Sequence, residues 1–159
     1  MTDFSLCPDV RLAEPEDIHG ILALMKEACA EDAQHPMDED KVFSMVMRHY
    51  DKQGAMIAVI GELGHPIAYC LSVLDPLWYS HEWQLLELSL FVSQAHRKST
   101  YAKQLMQFMK RASEGLKLDL TIGVFSNART EAKVRLYKRQ FPQVGAYFCF
   151  RPSSAETSV

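Results

Sequence analysis

A chain of 159 residues, 48% hydrophobic and 23% charged, has the size and composition of one globular domain with its own core, which excludes a disordered or fibrous segment. No apolar run reaches the length of a membrane-spanning helix, and the opening Met-Thr-Asp-Phe-Ser-Leu-Cys-Pro lacks the basic and apolar regions of a secretory leader, so a cytoplasmic protein without a membrane partner is expected. The formal charge of −3 is unevenly spread, with five Lys/Arg against fourteen Asp/Glu in residues 1–75 and twelve against six in residues 76–159. A basic second half suits phosphates, and an acidic first half could attract a cationic amine.

Val10-Arg11-Leu12-Ala13 opens as a short strand, and Glu14-Pro15-Glu16-Asp17 places proline and acids where a helix begins. Ile18, Ile21, Leu22 and Met25 recur at helical spacing, so the first helix runs to about Ala30, and residues 33–37, with His35-Pro36, form a loop. A second helix over 38–50 carries Val42, Met45, Val46 and His49 on one side. Strands 56–62 and 66–74 flank Leu63-Gly64-His65 as a hairpin, and residues 75–81 interrupt the pattern before a long strand over 83–92. A third helix, about 100–116, buries Leu105, Phe108, Met109, Ala112 and Leu116. A strand over 118–124, a helix from Thr130 to about Gln140 and a final strand over 146–151 complete the chain. With no internal repeat or linker, residues 1–151 form one mixed α+β domain, and residues 152–159, rich in Ser, Thr and Ala, form a loose tail.

Cys7, Cys29, Cys70 and Cys149 lie far apart with no CxxC pair, as expected for buried thiols in a reducing compartment. The six histidines show no metal-ligand spacing, and no metal is expected.

Chemistry concentrates where the long strand ends. Arg97-Lys98-Ser99-Thr100-Tyr101-Ala102 is a basic turn that opens directly into an amphipathic helix. Ser99 or Thr100 can cap that helix, and the following N–H groups, with the positive end of the helix dipole, form a site for an anion such as a phosphate. An ordinary capped helix with surface cations reads the same residues equally well. On the strand itself, alternation puts Leu86, Leu88, Leu90 and Val92 on one face and Leu85, Glu87, Ser89 and Phe91 on the other. A carboxylate at the centre of so apolar a strand is costly unless it is paired, solvated or functional. The basic helix residues Arg129, Lys133, Arg135, Lys138 and Arg139 form either a solvated face or a contact for an outer phosphate or a nucleic acid.

The order helix, helix, hairpin, long strand, basic turn, helix, strand, helix, strand resembles the GNAT acetyltransferase family. Phe91-Val92-Ser93-Gln94-Ala95-His96-Arg97-Lys98-Ser99-Thr100-Tyr101-Ala102 is similar to its acetyl-CoA motif, a strand ending in Val and then Q/R-x-x-G-x-G/A, with Arg97 at the Q/R position and Ala102 at the last. Residues 10–18 resemble the family's first strand and helix, and Asn127, Leu136-Tyr137 and Phe141 its late signature. The sequence departs from the pattern at Thr100, which stands for the loop glycine, and at Gln140, which stands for the late glycine.

The resemblance implies a mostly antiparallel central sheet flanked by about four helices, with acetyl-CoA as co-substrate. It implies that Arg97, Lys98, Ser99, Thr100, Tyr101 and Ala102 hold the pyrophosphate, that Leu90, Phe91 and Val92 pair their backbone with the pantetheine arm, and that Asn127 bonds the pantetheine near the thioester. Tyr137 falls where the family often keeps a general acid for the departing thiolate, and Glu87 where several members place a general base. An ammonium of pKa near 10.4 is neutral in only about one molecule in 10³–10⁴ at pH 7, so a base or a water relay helps. His81, Asp75 and Tyr79, in the interrupted stretch, are lesser candidates at the border of an acceptor pocket. The expected function is transfer of acetyl to a primary amine, carried by a small molecule or a peptide, by direct attack in a ternary complex. The alternatives are a GNAT-like domain that binds acyl-CoA or a protein partner without turnover, and a nucleic-acid-binding module. The last is the weakest, because the basic stripe has no interleaved aromatics. An edge strand at 146–151 could support a homodimer.

Overall fold

The computed structural model describes residues 7, 9–32, 35–124 and 129–149. In chain order these form β1 (Val10–Leu12), a 3-10 turn (Pro15–Asp17), α1 (Ile18–Asp32), α2 (Glu39–Tyr50), β2 (Ala55–Glu62), β3 (His65–Pro76) and β4 (Trp83–Val92). A second 3-10 turn (Gln94–His96), α3 (Tyr101–Leu116), β5 (Asp119–Thr121) and α4 (Thr130–Lys138) follow. The architecture is the expected α+β arrangement, a five-stranded mixed sheet in the order β1-β2-β3-β4-β5 with four α-helices. Neighbouring strands are antiparallel except β4 and β5, which run parallel. None of the described helices is long and apolar enough to cross a membrane.

The sheet is buried on both faces, so β2 and β3 read as near-continuous apolar runs without clean alternation. Ile57, Val59, Tyr69, Leu71 and Phe91 pack against Ile21, Leu24, Met25 and Ala28 of α1 and Val46 of α2. Ala58, Ile60, Ala68, Cys70, Leu85 and Val92 pack against Leu105, Phe108 and Met109 of α3. Leu116, expected in this second core, is 51% exposed because it ends α3 beyond the sheet's cover. His49, at the end of α2, accepts the Ile57 N–H at Nδ1 (3.2 Å), which leaves Nε2 to donate to the Ala13 carbonyl (3.0 Å) and pins α2 to the sheet.

One buried polar cluster joins the first strand to the hairpin. Asp17 is fully buried, and its carboxylate takes both guanidinium nitrogens of Arg11 (2.6 and 2.9 Å) and the N–H groups of Glu14 and Gly64 (2.8 Å each). These four donors outweigh desolvation and hold its pKa down to about 2. Gly64 sits at φ +78°, a left-handed turn that a side chain rarely adopts, and this conformation presents its N–H to Asp17.

Two sequence expectations fail at the far end of the sheet. The strand expected over 118–124 stops at Thr121, because β4 diverges from it beyond Leu86. The strand expected over 146–151 is absent among its described residues, 146–149, and Val144 and Phe148 are each 95% exposed. A three-residue β5 is too short an edge to template another strand. The homodimer edge expected over 146–151 is not formed at 146–149, its described part.

Candidate active site

The site is built on an irregularity in β4. Leu71 faces Ser89 while Ser72 faces Glu87, so Leu88 is an extra residue without a partner on β3. Residues directly opposite each other share a sheet face, and the bulge therefore overturns the simple alternation read from the sequence. Leu85, Glu87, Leu90 and Val92 lie on the α3 face, opposite Leu74, Ser72, Cys70 and Ala68. Leu86, Ser89 and Phe91 lie on the other face, and Leu88 is 45% exposed. β5 pairs with β4 only from Gln84 to Leu86. Beyond Leu86, the β5 side of β4 has no strand partner among the described residues, so backbone groups of its second half are open to a ligand.

A cavity of about 600 Å³ fills the wedge where the two strands part, walled by Tyr69, Phe91, Glu87, Lys133, Tyr137 and Tyr147, among others. Glu87 is buried there, and the Gly123 N–H reaches its Oε2 at 3.4 Å. Desolvation raises its pKa to about 7, against the opposing pull of that N–H and the Lys133 charge. Burial and the nearby Glu87 charge push the Tyr137 phenol well above its ordinary value, so it stays protonated at physiological pH. The Tyr69 hydroxyl pairs with Ser89 Oγ at 2.8 Å on the opposite wall.

A smaller cavity of about 150 Å³ adjoins the first, sharing Leu90, Phe91, Lys133 and Tyr137 with it. It follows the end of β4 past Val92 to Arg97, Ser99 and Ala102 at the start of α3. Arg97 is anchored, not loose: it pairs with Glu31 of α1, donates from Nε to the Val92 carbonyl (3.3 Å) and stacks 5.4 Å from the centre of the Phe91 ring. Thr100 is the N-cap of α3 without a side-chain capping bond, and Ser99 Oγ, which donates to the His96 carbonyl (2.6 Å), accepts the Tyr101 N–H (3.3 Å). The N–H groups of Lys98, Thr100, Ala102 and Lys103 meet no acceptor among the described residues. Lys98, Ser99 and Thr100 are exposed, so this corner is open to an anion. Thr100 stands at φ −89°, ψ 7°, an ordinary conformation for a side-chain-bearing residue, and its Oγ1 accepts from Gln104 Nε2 (3.1 Å).

The fold thus brings Glu87, Leu90, Phe91, Val92, Arg97, Ser99, Ala102 and Tyr137 to one groove, with Lys98, Thr100 and Tyr101 on the same turn. Asn127 lies outside the described residues. Asp75 is taken up by Gln84 Nε2 (3.0 Å), Tyr79 is 69% exposed against Trp78, and His81 is exposed; none of the three lines the groove. Of the basic helix, Arg129 and Lys133 face the groove, whereas Arg135 lies 3.8 Å from Glu131 on the exposed side. Sequence reading missed Cys29 and Glu31, which α1 carries to the site from far away in the chain, and Tyr69 and Tyr147. The cysteines also divide: Cys7 and Cys70 are buried, Cys29 is half-buried, and Cys149 is exposed because the segment carrying it does not join the sheet. Among the described residues, no cluster of His, Cys, Asp or Glu could hold a metal ion.

A strand parting from its parallel neighbour, an open helix N-terminus, the buried Glu87 and the half-buried Tyr137 thus meet in one groove. The model of the acetyltransferase (GNAT) family matches residues 18–141, and the protein belongs to that family. No curated protein matches the chain in sequence. Among solved structures it is similar to the ribosomal-protein-alanine N-acetyltransferase of Brucella melitensis biovar Abortus 2308, at 14% identity and a TM-score of 0.68 over 90% of this chain and 97% of that one. It is also similar to AAC(6')-Iy in complex with the bisubstrate analogue CoA-S-monomethyl-acetylneamine, at 15% identity and a TM-score of 0.69 over 91% and 97%. The aminoglycoside 6'-N-acetyltransferase AAC(6')-IG of Acinetobacter haemolyticus aligns at 11% identity and a TM-score of 0.68 over 90% and 97%. At such identities these structures share the fold.

Proposed function

We propose that the protein is an N-acetyltransferase that moves acetyl from acetyl-CoA to a primary amine by direct attack in a ternary complex. The observation that carries this reading is the shared cavity of Glu87 and Tyr137, which runs into the open amides at the start of α3. The unpaired N–H groups of Thr100, Ala102 and Lys103 suit a diphosphate, with Arg97 and Lys98 adding positive charge. The edge of β4 from Leu90 to Val92, which has no strand partner on its β5 side among the described residues and of which Arg97 takes the Val92 carbonyl, suits the amide groups of a pantetheine arm, in the manner of an added strand. Asn127 is part of the same proposal, as a hydrogen-bonding partner of that arm.

Acetyl-CoA brings an activated thioester, whose carbonyl carbon an amine can attack. Glu87, titrating near 7, is ionised in about half the molecules at neutral pH and can take a proton from the incoming ammonium, directly or through water. Tyr137 keeps its phenolic proton and presents it to the departing sulfur, whose thiol has an ordinary pKa of about 8.5. Burial pushes the groove's own thiol, Cys29, above its ordinary pKa, as it does the buried Cys70, which disfavours the thiolate of a covalent acyl-enzyme and supports direct attack.

The test is release of free coenzyme thiol from acetyl-CoA across a panel of amines. The reading requires turnover that depends on both enzyme and amine. Tyr137→Phe should lower kcat about 10²-fold while calorimetry shows unchanged acetyl-CoA affinity. Coenzyme binding without turnover of any amine supports the non-catalytic alternative, and a full-rate Tyr137→Phe enzyme removes the proposed acid.

A further inference from the structure

The acceptor end of the groove is far less acidic than the chain's first half. Among the described residues lining the larger cavity, Glu87 is the one carboxylate, and the Lys133 charge acts on it from the same cavity. No described carboxylate of α1 or α2 lines this cavity, and three of them are engaged elsewhere. Glu31 pairs with Arg97, Glu27 accepts the Gln94 N–H (3.2 Å) and Glu39 bonds Lys26 (2.5 Å). Three of the hydroxyls that face the cavity are also committed, Tyr69 and Ser89 to each other (2.8 Å) and Thr121 to Gln84 (2.6 Å), while the Tyr137 phenol is the acid of the proposed reaction. Most of the remaining wall is apolar or aromatic, with Ala28, Leu86, Leu88, Phe91 and Tyr147 prominent.

Among the described residues, such a wall offers one carboxylate as counter-charge and, beyond His35 and the phenols of Tyr137 and Tyr147, no uncommitted polar side chain. The Lys133 charge repels a second ammonium. A second ammonium, or a ring of sugar hydroxyls, would be desolvated there without compensation, while methylenes and aromatic rings gain from burial. At about 600 Å³ the space is that of a small-molecule site. We infer that the acceptor is a small amine bearing one positive charge on an apolar, aliphatic or aromatic body, not a polyamine, an aminoglycoside or a polar peptide. This specificity rests on the transferase reading above and goes beyond it.

The test measures kcat/KM for propyl-, butyl-, pentyl- and hexylamine and for 2-phenylethylamine, against spermidine, kanamycin and a Ser-Ala-Ala peptide. Calorimetry of acetyl-CoA binding is run on the same preparation. The inference expects kcat/KM to rise about fourfold per added methylene until the cavity is filled. It also expects 2-phenylethylamine to exceed propylamine at least tenfold, and spermidine to fall below butylamine. Leu88→Glu, which adds a carboxylate at the exposed bulge on the rim, should move the spermidine-to-hexylamine ratio about tenfold toward spermidine. A flat alkyl series, or a preference for spermidine, kanamycin or the peptide, overturns the inference and leaves the transferase reading standing. Coenzyme binding with turnover of none of the amines instead overturns the transferase reading, and the inference with it.

Discussion

Replacing Glu87 with Gln separates catalysis from stability, because the two should move in opposite directions. Glu87 titrates near 7 in the fold against 4.5 when exposed, and its buried neutral form is the comfortable one. Below pH 4.5 the side chain is protonated whether folded or unfolded and its pKa shift has no effect on stability. Ionisation becomes a burden on the fold as the pH rises from 4.5 to 7, and the burden is complete above 7. The shift corresponds to about 3 kcal/mol at most. The Gln side chain keeps an oxygen for the Gly123 N–H and sheds the charge. Glu87→Gln should therefore be more stable than wild type at pH 8, by up to about 3 kcal/mol or about 6–12 °C in Tm, and equal to it at pH 4.5 or below. Activity should fall about 10²–10⁴-fold. The ratio of wild-type to variant kcat cancels the ionisation of the amine and should climb about tenfold from pH 6 to pH 8, as Glu87 passes from about one-tenth to about nine-tenths ionised. Thermal denaturation at the two pH values and a kcat profile check both limbs. A variant that is less stable at pH 8, with a flat ratio, would mean that Glu87 serves as a buried ion-pair partner of Lys133, and the general-base assignment would fall.

The Arg11–Asp17 cluster predicts acid sensitivity of the opposite sign. Asp17 is held at about 2 against 3.8, so its stabilisation is complete above pH 3.8 and is lost as the pH falls through about 2; Asp17→Asn should cost about 3 kcal/mol at neutral pH, and an unchanged denaturant midpoint would contradict the buried pairing. Arg97→Ala removes a cation from the mouth of the smaller cavity and should weaken acetyl-CoA binding about tenfold or more by calorimetry, whereas unchanged affinity would move the diphosphate away from this turn. Thr100→Gly should not tighten coenzyme binding by more than about twofold, because Thr100 already holds a φ of −89° that gains nothing from glycine; a gain of tenfold would show that its side chain obstructs the site.

The parts of this molecule most legible in the sequence were those governed by local rules. Residues 83–92 form β4 as read, and the apolar spacing of Ile21 and Met25, or of Leu105 and Met109, placed α1 and α3 against the sheet. The Arg97–Ala102 turn was recognisable because caps and helix N-termini are written in a few consecutive residues. Long-range geometry was less accessible. The bulge at Leu88 depends on how β4 meets β3, and it reverses which residues accompany Glu87 without altering local composition. Glu31 meets Arg97 across 66 positions of sequence, and no spacing rule reaches that far. The segment 146–151 reads as a strand by composition, yet its described part, 146–149, forms none: a strand needs an edge, and the β5 edge is three residues long.

The central claim is that amides at the start of α3 cradle the diphosphate of a coenzyme. Titrating the ¹⁵N-labelled protein with coenzyme A and following its backbone amide resonances tests this most directly. The account predicts saturable shifts centred on Thr100, Ala102 and Lys103, with smaller ones along Leu90 to Val92. Shifts confined to other surfaces, or a spectrum unmoved at millimolar coenzyme A, would contradict it.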